Sequence, residues 1–252
     1  MTVAAYWMLS DNFGDKLTPW LIEKIRGEKP AWVPPAFDAE HYMVCGSILN
    51  HANKHAMVWG TGLADLSDVV NCEARIFAVR GPLSRARALS CGAVCPPVYG
   101  DPALLLPRFH SAPVQKKHAV GLVPHYTDFY RVSSREEYKG LKIVNVFDSV
   151  ENFADGIRAC ELVVSSSLHG IIVAHAYGIP AAWAAWGDSI GGDRGTKFRD
   201  YFMSQDLDIA EPVDRRVSYA DVSAESFTLP KKGWGVDLNA LWGACPIRRS
   251  GE

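Results

Sequence analysis

Residues 161–180 read ELVVSSSLHGIIVAHAYGIP. The first part is an apolar, β-branched run that ends in three serines, the pattern of a buried strand whose carboxyl end lies at Ser165, Ser166 and Ser167. The apolar stretch from Leu168 to Tyr177, closed by Gly178 and Pro180, predicts a helix. His169 then falls in the first helical turn, where free backbone amides and the helix dipole favour an anion and disfavour a proton on the ring. An anionic ligand reverses that preference and returns the proton, giving an acid armed by its own substrate. Gly170 beside it permits close approach of a ligand or of backbone. A histidine that simply caps the turn is the plainer reading of the same residues.

The strand-to-helix pattern extends in both directions. TVAAYWML predicts a strand, and SDNFGDKLTPWLIEKIRG a loop passing into a helix, with Leu17, Trp20, Leu21 and Ile25 at three-to-four spacing and Gly27 as the stop. HYMVCGSIL, AMVWGTGL and RIFAVRGPLSRARALSCG supply three more strands, the last followed by a helix. The segment PRFHSAPVQKKH breaks the alternation and reads as a linker. Beyond it, AVGLVPHY, KIVNVFD, ELVVSSS and PAAWAAW predict strands, and SVENFADGIRAC a helix begun by Ser149. Strands alternating with helices imply parallel βαβ units, so an α/β fold of two Rossmann-like, parallel-sheet domains is expected. The expected division is residues 1–110 and 118–252 with a cleft between, and the tail GWGVDLNALWGACPIRR is free to pack back on either half.

Composition narrows the class. The 252 residues are 48% hydrophobic and 21% charged, and the formal net charge of −2 gives no general attraction to nucleic acid or anionic membranes. An anionic ligand therefore needs a local cluster of cations or amides. Eight Trp and nine Tyr suit either core packing or a carbohydrate surface. The six cysteines lack a metal-site spacing and are expected as reduced thiols. The first residues lack a signal-peptide pattern and no stretch reaches the ~20 apolar residues of a membrane span, so a cytoplasmic protein is expected.

In open parallel sheets, ligands bind outside the carboxyl ends of strands. Several such ends here carry small or polar residues. After the first strand, Asn12, Gly14 and Asp15 form either a ligand loop or an ordinary helix cap. Gly46, Ser47 and Gly60 follow two others. Arg80, between a strand and a helix start, suits a phosphate or carboxylate, with a salt bridge as the alternative. His125 ends another strand. Arg194, Lys197 and Arg199 sit on a glycine-rich basic stretch suited to an anion or to solvent. Asp101, before Pro102, reads as a turn residue, and His175, six residues beyond His169, as structural.

Taken in order from Tyr6 to Tyr201, the motifs NFGD, CGSIL, VWGTGL, VRGPLS, GDPALLLP, GLVPHYTD, SSSLHGIIVAHAYGIP and KFRDYF resemble the polysaccharide pyruvyl transferase family, especially its bacterial exopolysaccharide members. The resemblance implies a fold similar to GT-B glycosyltransferases with the site between the halves. It implies transfer of pyruvate from phosphoenolpyruvate to two hydroxyls of one sugar, forming a cyclic ketal and releasing phosphate. His169 matches the family's acid, and Arg80 an arginine that holds the donor. Ser165, Ser166, Ser167, Gly170, His125, Arg194 and Lys197 are then expected on the donor side, and Asn12, Gly14, Asp15, Gly46, Ser47 and Gly60 on the acceptor side. No cofactor and no metal are expected; phosphoenolpyruvate is a co-substrate and the other partner a saccharide. A lipid-linked acceptor would put the enzyme at the inner face of the membrane. One departure stands out: many members carry Arg before the Leu-His pair, where this chain has Ser167. A nucleotide-sugar glycosyltransferase and a non-catalytic sugar-binding relative are the alternatives.

Overall fold

A computed structural model describes residues 2–186, 195–207, 213–214, 224–231 and 235–248. In the first half, β1 (Ala4–Ala5) leads into α1 (Phe13–Arg26), followed by β2 (Ala31–Trp32), β3 (His41–Met43), β4 (Ala56–Trp59) and β5 (Arg75–Ala78). Then come α2 (Pro82–Ser90), a 3-10 turn (Pro102–Leu105) and α3 (Leu106–Phe109). The second half runs β6 (His118–Val123), α4 (Phe129–Ser133), β7 (Lys142–Ile143), α5 (Val150–Arg158), β8 (Cys160–Ser165), α6 (Leu168–Ala176), β9 (Ala181–Ala185), α7 (Thr196–Ser204), β10 (Val213–Asp214) and α8 (Leu238–Gly243).

The strands form two five-stranded sheets, in the orders β2-β1-β3-β4-β5 and β10-β9-β8-β6-β7, with every strand pair parallel. This is the α/β class expected from the alternation of strands and helices. Counted from its own first strand, each sheet has the same 2-1-3-4-5 order. The winding therefore reverses between β1 and β3 in one sheet and between β6 and β8 in the other. Crevices open at such reversals, outside the strands' carboxyl ends.

Local signals account for the helices that frame these crevices. Asn12 caps α1, its side chain accepting from the Asp15 N–H at 3.3 Å, and Gly27 ends the helix in the left-handed conformation. Ser149 caps α5 by accepting from Asn152 N–H at 3.2 Å. Val163 of β8 and Leu168 and residues 171–174 of α6 are buried in one core that reaches into both halves, which accounts for the near-continuous apolar run.

That shared core fixes the halves against each other. Phe13 stacks on Phe153 with ring centroids 3.9 Å apart, and its N–H donates to the Val146 carbonyl at 2.7 Å. Trp20 Nε1 donates to Glu151 at 2.6 Å, and Lys16 Nζ to the Phe147 carbonyl at 2.6 Å. Later elements cross back onto the first half. α7 packs on α2, and α8 lies under β4, where Trp59 Nε1 donates to the Leu241 carbonyl at 2.8 Å. Among the described residues, no helix is long and apolar enough to cross a membrane.

Candidate functional site

The two reversals of strand order open onto one cavity of about 260 Å³. The loop after β1 contributes Met8, Ser10 and Asn12, the first turn of α1 Gly14 and Asp15, and the loop after β3 Gly46, Ser47 and Ile48. Opposite them stand His125 and Tyr126 from the end of β6, and Ser167, Leu168 and His169 from the end of β8. Lys197 of α7 completes the wall and is the only Lys or Arg among the described lining residues. The amino ends of α1 and α6 both border this space. At α1 the Phe13 and Asp15 amides are taken by the Val146 carbonyl and the Asn12 side chain, whereas α6 has no side-chain cap, so its free amides add to the lysine's pull on an anion.

His169 is held from two sides. Its Nε2 lies 3.4 Å from Oδ2 of the buried Asp101. Its other edge, Nδ1 and Cε1, rests against Gly14, where a Cβ would collide with the ring. This close approach explains why a glycine occupies the first turn of α1, a position where it otherwise weakens a helix.

The charges around the cavity act on one another. Burial raises the Asp15 carboxyl above its ordinary value, opposed by hydrogen bonds from Ser10 and Asn12 and by the charges of His169 and Lys197. Asn12 Nδ2 donates to Asp15 Oδ2 at 2.7 Å. Burial, helped by the nearby Arg80 charge and opposed by Asp15, lowers Lys197 to about 8. Burial and Lys197 together push His125 down to about 4, so its ring is neutral at pH 7. Its Nδ1 lies 2.7 Å from the Thr127 hydroxyl.

Five expected contacts are corrected by this geometry. Arg80 does not reach the cavity: it is fully buried, with Nε 3.1 Å from Asp200 Oδ2 and its terminal nitrogens donating to Ser47 Oγ at 2.8 Å and the Leu63 carbonyl at 2.6 Å. It supports Ser47 from behind. Ser165 is buried beneath the turn, its hydroxyl 2.9 Å from the Val123 carbonyl and accepting from Ser167 N–H at 3.0 Å. Gly170 packs on that hydroxyl and on Val123, and Gly60 packs on Pro102, so neither glycine faces a ligand. Ser166 serves the site indirectly, accepting from the His125 N–H at 2.8 Å. Arg194 lies outside the described residues.

Asn12, Gly14, Asp15, Gly46, Ser47, His125, Ser167, His169 and Lys197 do converge on the cavity. His175 lies away from it, buried between the Tyr201 hydroxyl at 3.0 Å and the Thr228 carbonyl at 2.9 Å. Asp101 caps its turn, accepting from Ala103 N–H at 2.9 Å, and its approach to His169 escaped the sequence reading. The signal was present in YGDP, just after the isolated bridge of Tyr99 to Val79, but one oxygen in a cap conceals a second that is free to face another element. Among the described residues, no group of three or more His, Cys, Asp and Glu side chains is placed to hold a metal ion, and the six cysteines are free thiols.

No solved structure matches the chain. Two curated relatives do. One is the uncharacterized protein L143 of Acanthamoeba polyphaga mimivirus, 30% identical over 208 residues, which cover 78% of this chain and 71% of the relative. The other is the succinoglycan biosynthesis protein ExoV of Rhizobium meliloti (strain 1021), 28% identical over 257 residues, covering 93% of this chain and 73% of the relative. The family model of polysaccharide pyruvyl transferase matches residues 36–189, more than half the chain and including the ends of β3, β6 and β8 that line the cavity. The chain belongs to the polysaccharide pyruvyl transferase family.

Proposed function

We propose that the protein transfers pyruvate from phosphoenolpyruvate to two hydroxyls of a sugar in an exopolysaccharide or its lipid-linked repeat unit, forming a cyclic ketal. Family membership and the similarity to a succinoglycan biosynthesis protein support the reaction class. The observation that carries the donor assignment is the convergence of Lys197, His169 and the uncapped amino end of α6 on one small cavity. A donor bearing a phosphate and a carboxylate matches that positive wall. Lys197 supplies the charge that Ser167 lacks, and Ser47, backed by Arg80, offers a hydroxyl.

The chemistry balances with groups on the cavity wall. Protonated His169 gives its proton to the methylene carbon, the alkene's electron pair forming the new C–H bond. The central carbon becomes cationic and is captured by one sugar hydroxyl. Phosphate then departs and the second hydroxyl closes the ring. Of the two hydroxyl protons, one restores His169 and the other leaves with phosphate. Asp15, on the same cavity wall and coupled by charge to His169, would relay these protons. A lipid-linked acceptor would be met at the inner face of the membrane.

Thermal melts with phosphoenolpyruvate, and with UDP-sugars in parallel, test the donor. A ligand at 100 times its Kd stabilises by about 2.7 kcal/mol. Stabilisation by phosphoenolpyruvate, lost in Lys197→Met, is the expected result. Stabilisation by a UDP-sugar alone would replace the reading with glycosyl transfer.

A further inference from the structure

The carboxylate of Asp101 has two oxygens with separate tasks. Oδ1 accepts from the Ala103 N–H at 2.9 Å and holds the 3-10 turn. Oδ2 has no hydrogen bond of ordinary geometry, although the side chain is 1% exposed. The His169 Nε2 atom is likewise buried without a hydrogen bond, and these two atoms face each other at 3.4 Å. Leaving either group alone in the interior would be costly, and together each supplies what the other lacks.

We infer that Asp101 is a positioning residue for proton transfer: it keeps the Nε2 proton of His169 in place, so that Nδ1, on the Gly14 side, is the nitrogen that exchanges protons with substrate. The inference rests on the pyruvyl-transfer reading for its substrate, but not for the state of the ring. In the transfer step the Nδ1–H bond breaks as the methylene C–H bond forms, and the imidazole is left neutral with its proton on Nε2. A nearby sugar hydroxyl proton then returns to Nδ1. The imidazolium that precedes transfer is balanced by the carboxylate 3.4 Å away.

The surroundings keep Asp101 ionised for this task. Burial alone would raise its carboxyl, but the His169 ring, the Ala103 amide and the Arg80 charge outweigh burial and hold it below its ordinary value. The Cys45 thiol also faces it and the Tyr201 phenol feels its charge; both are raised well above their ordinary values, burial being the larger cause, so they remain neutral. On its far side His169 feels Asp15.

Asp101→Asn tests the assignment. Asparagine caps as well as aspartate, so the turn and the fold are retained. Turnover with phosphoenolpyruvate should fall about 100-fold while KM for phosphoenolpyruvate stays within about twofold, the split expected when proton transfer and not binding is impaired. In ligand-free wild-type protein, nitrogen NMR of neutral His169 should show the proton on Nε2, and Asp101→Asn should lose that preference. Unchanged turnover in the variant, or a wild-type ring protonated on Nδ1, would overturn the inference. The NMR arm needs no substrate. A protein inactive with phosphoenolpyruvate but with the Nε2 proton in place would therefore refute the reaction and keep the pair.

Discussion

The guanidinium of Arg80 and the carboxylate of Asp200 meet at 3.1 Å with both side chains sealed from solvent. Arg80 follows β5, whereas Asp200 lies on α7, the helix that carries Lys197. The same carboxylate accepts from the Ser84 N–H at 3.0 Å and the Ser84 hydroxyl at 2.6 Å. Gly81 allows this approach, since a Cβ there would strike the Asp200 backbone. The pair thus fixes Lys197 of the cavity wall relative to the first sheet.

Breaking a buried pair leaves one charge uncompensated, so Asp200→Ala should cost about 3–5 kcal/mol, seen as a lowered denaturation midpoint. Its effect on the site separates two roles for Arg80. If the arginine acts through Ser47 and α7, Asp200→Ala and Arg80→Ala should both weaken phosphoenolpyruvate binding. Weakening by Arg80→Ala alone would restore the direct ligand contact expected from the sequence.

Lys197 predicts a pH dependence with a defined sign. Burial, and then Arg80, lower it from 10.5 to about 8, so the free protein loses this cation as pH rises through about 8. Donor affinity should be full below that value and decline above it, and Lys197→Met should be weak and nearly flat between pH 7 and 9. Stability follows the opposite course. The folded-state value is depressed, so the cost of burying the charge is complete below about 8 and relieved toward 10.5. Lys197→Met should therefore melt higher at pH 7, by about 2–4 °C per kcal/mol recovered, with the gap closing by pH 10.5. A variant that melts lower at pH 7 would place the lysine in a favourable pair instead.

Much of this arrangement was legible in the sequence because its signals are local. ELVVSSS followed by an apolar helix, Ser149 before α5, and Gly27 after α1 each declare an element within a few residues. The two-residue β2, lying between prolines in KPAWVPP with both residues exposed, carries no hydrophobic alternation that could reveal it. Arg80 shows the other limit. A cation at a strand's end looks the same in sequence whether it meets a ligand or a carboxylate 120 positions later, and only the crossing of α7 onto α2 decides. Gly14 was legible as a loop glycine, but its service to His169 depends on the packing of α1 against the second half.

That packing makes Gly14→Ala informative. Alanine suits the helix better than glycine by about 1 kcal/mol, but its methyl would collide with the Nδ1 edge of His169. The ring must swing away from Asp101 or α1 must shift. Turnover should fall by at least about 100-fold, the scale of a displaced acid, while the melting temperature changes little. Retained turnover would show that the ring works from a different position.

The two histidines that burial lowers to about 4 make acid sensitivity the last expectation. His175 is the cleaner case, because both ring nitrogens are engaged. The Thr228 carbonyl can only accept, so Nε2 carries the proton and Nδ1 accepts from the Tyr201 hydroxyl. A second proton would place a charge in the buried site and force the Tyr201 hydroxyl to give up its donated hydrogen bond. Between about 4 and the ordinary 6.5, the unfolded chain binds a proton that the folded chain refuses, so stability falls as pH drops through this window. The slope is about 1.4 kcal/mol per pH unit for each such histidine in the middle of the window. His175→Gln keeps a donor and an acceptor but does not titrate. Denaturant melts at pH 7 and 5 should show a smaller loss for the variant than for the wild type, by about 1–2 kcal/mol. Equal losses would mean that His175 accepts its second proton without unfolding.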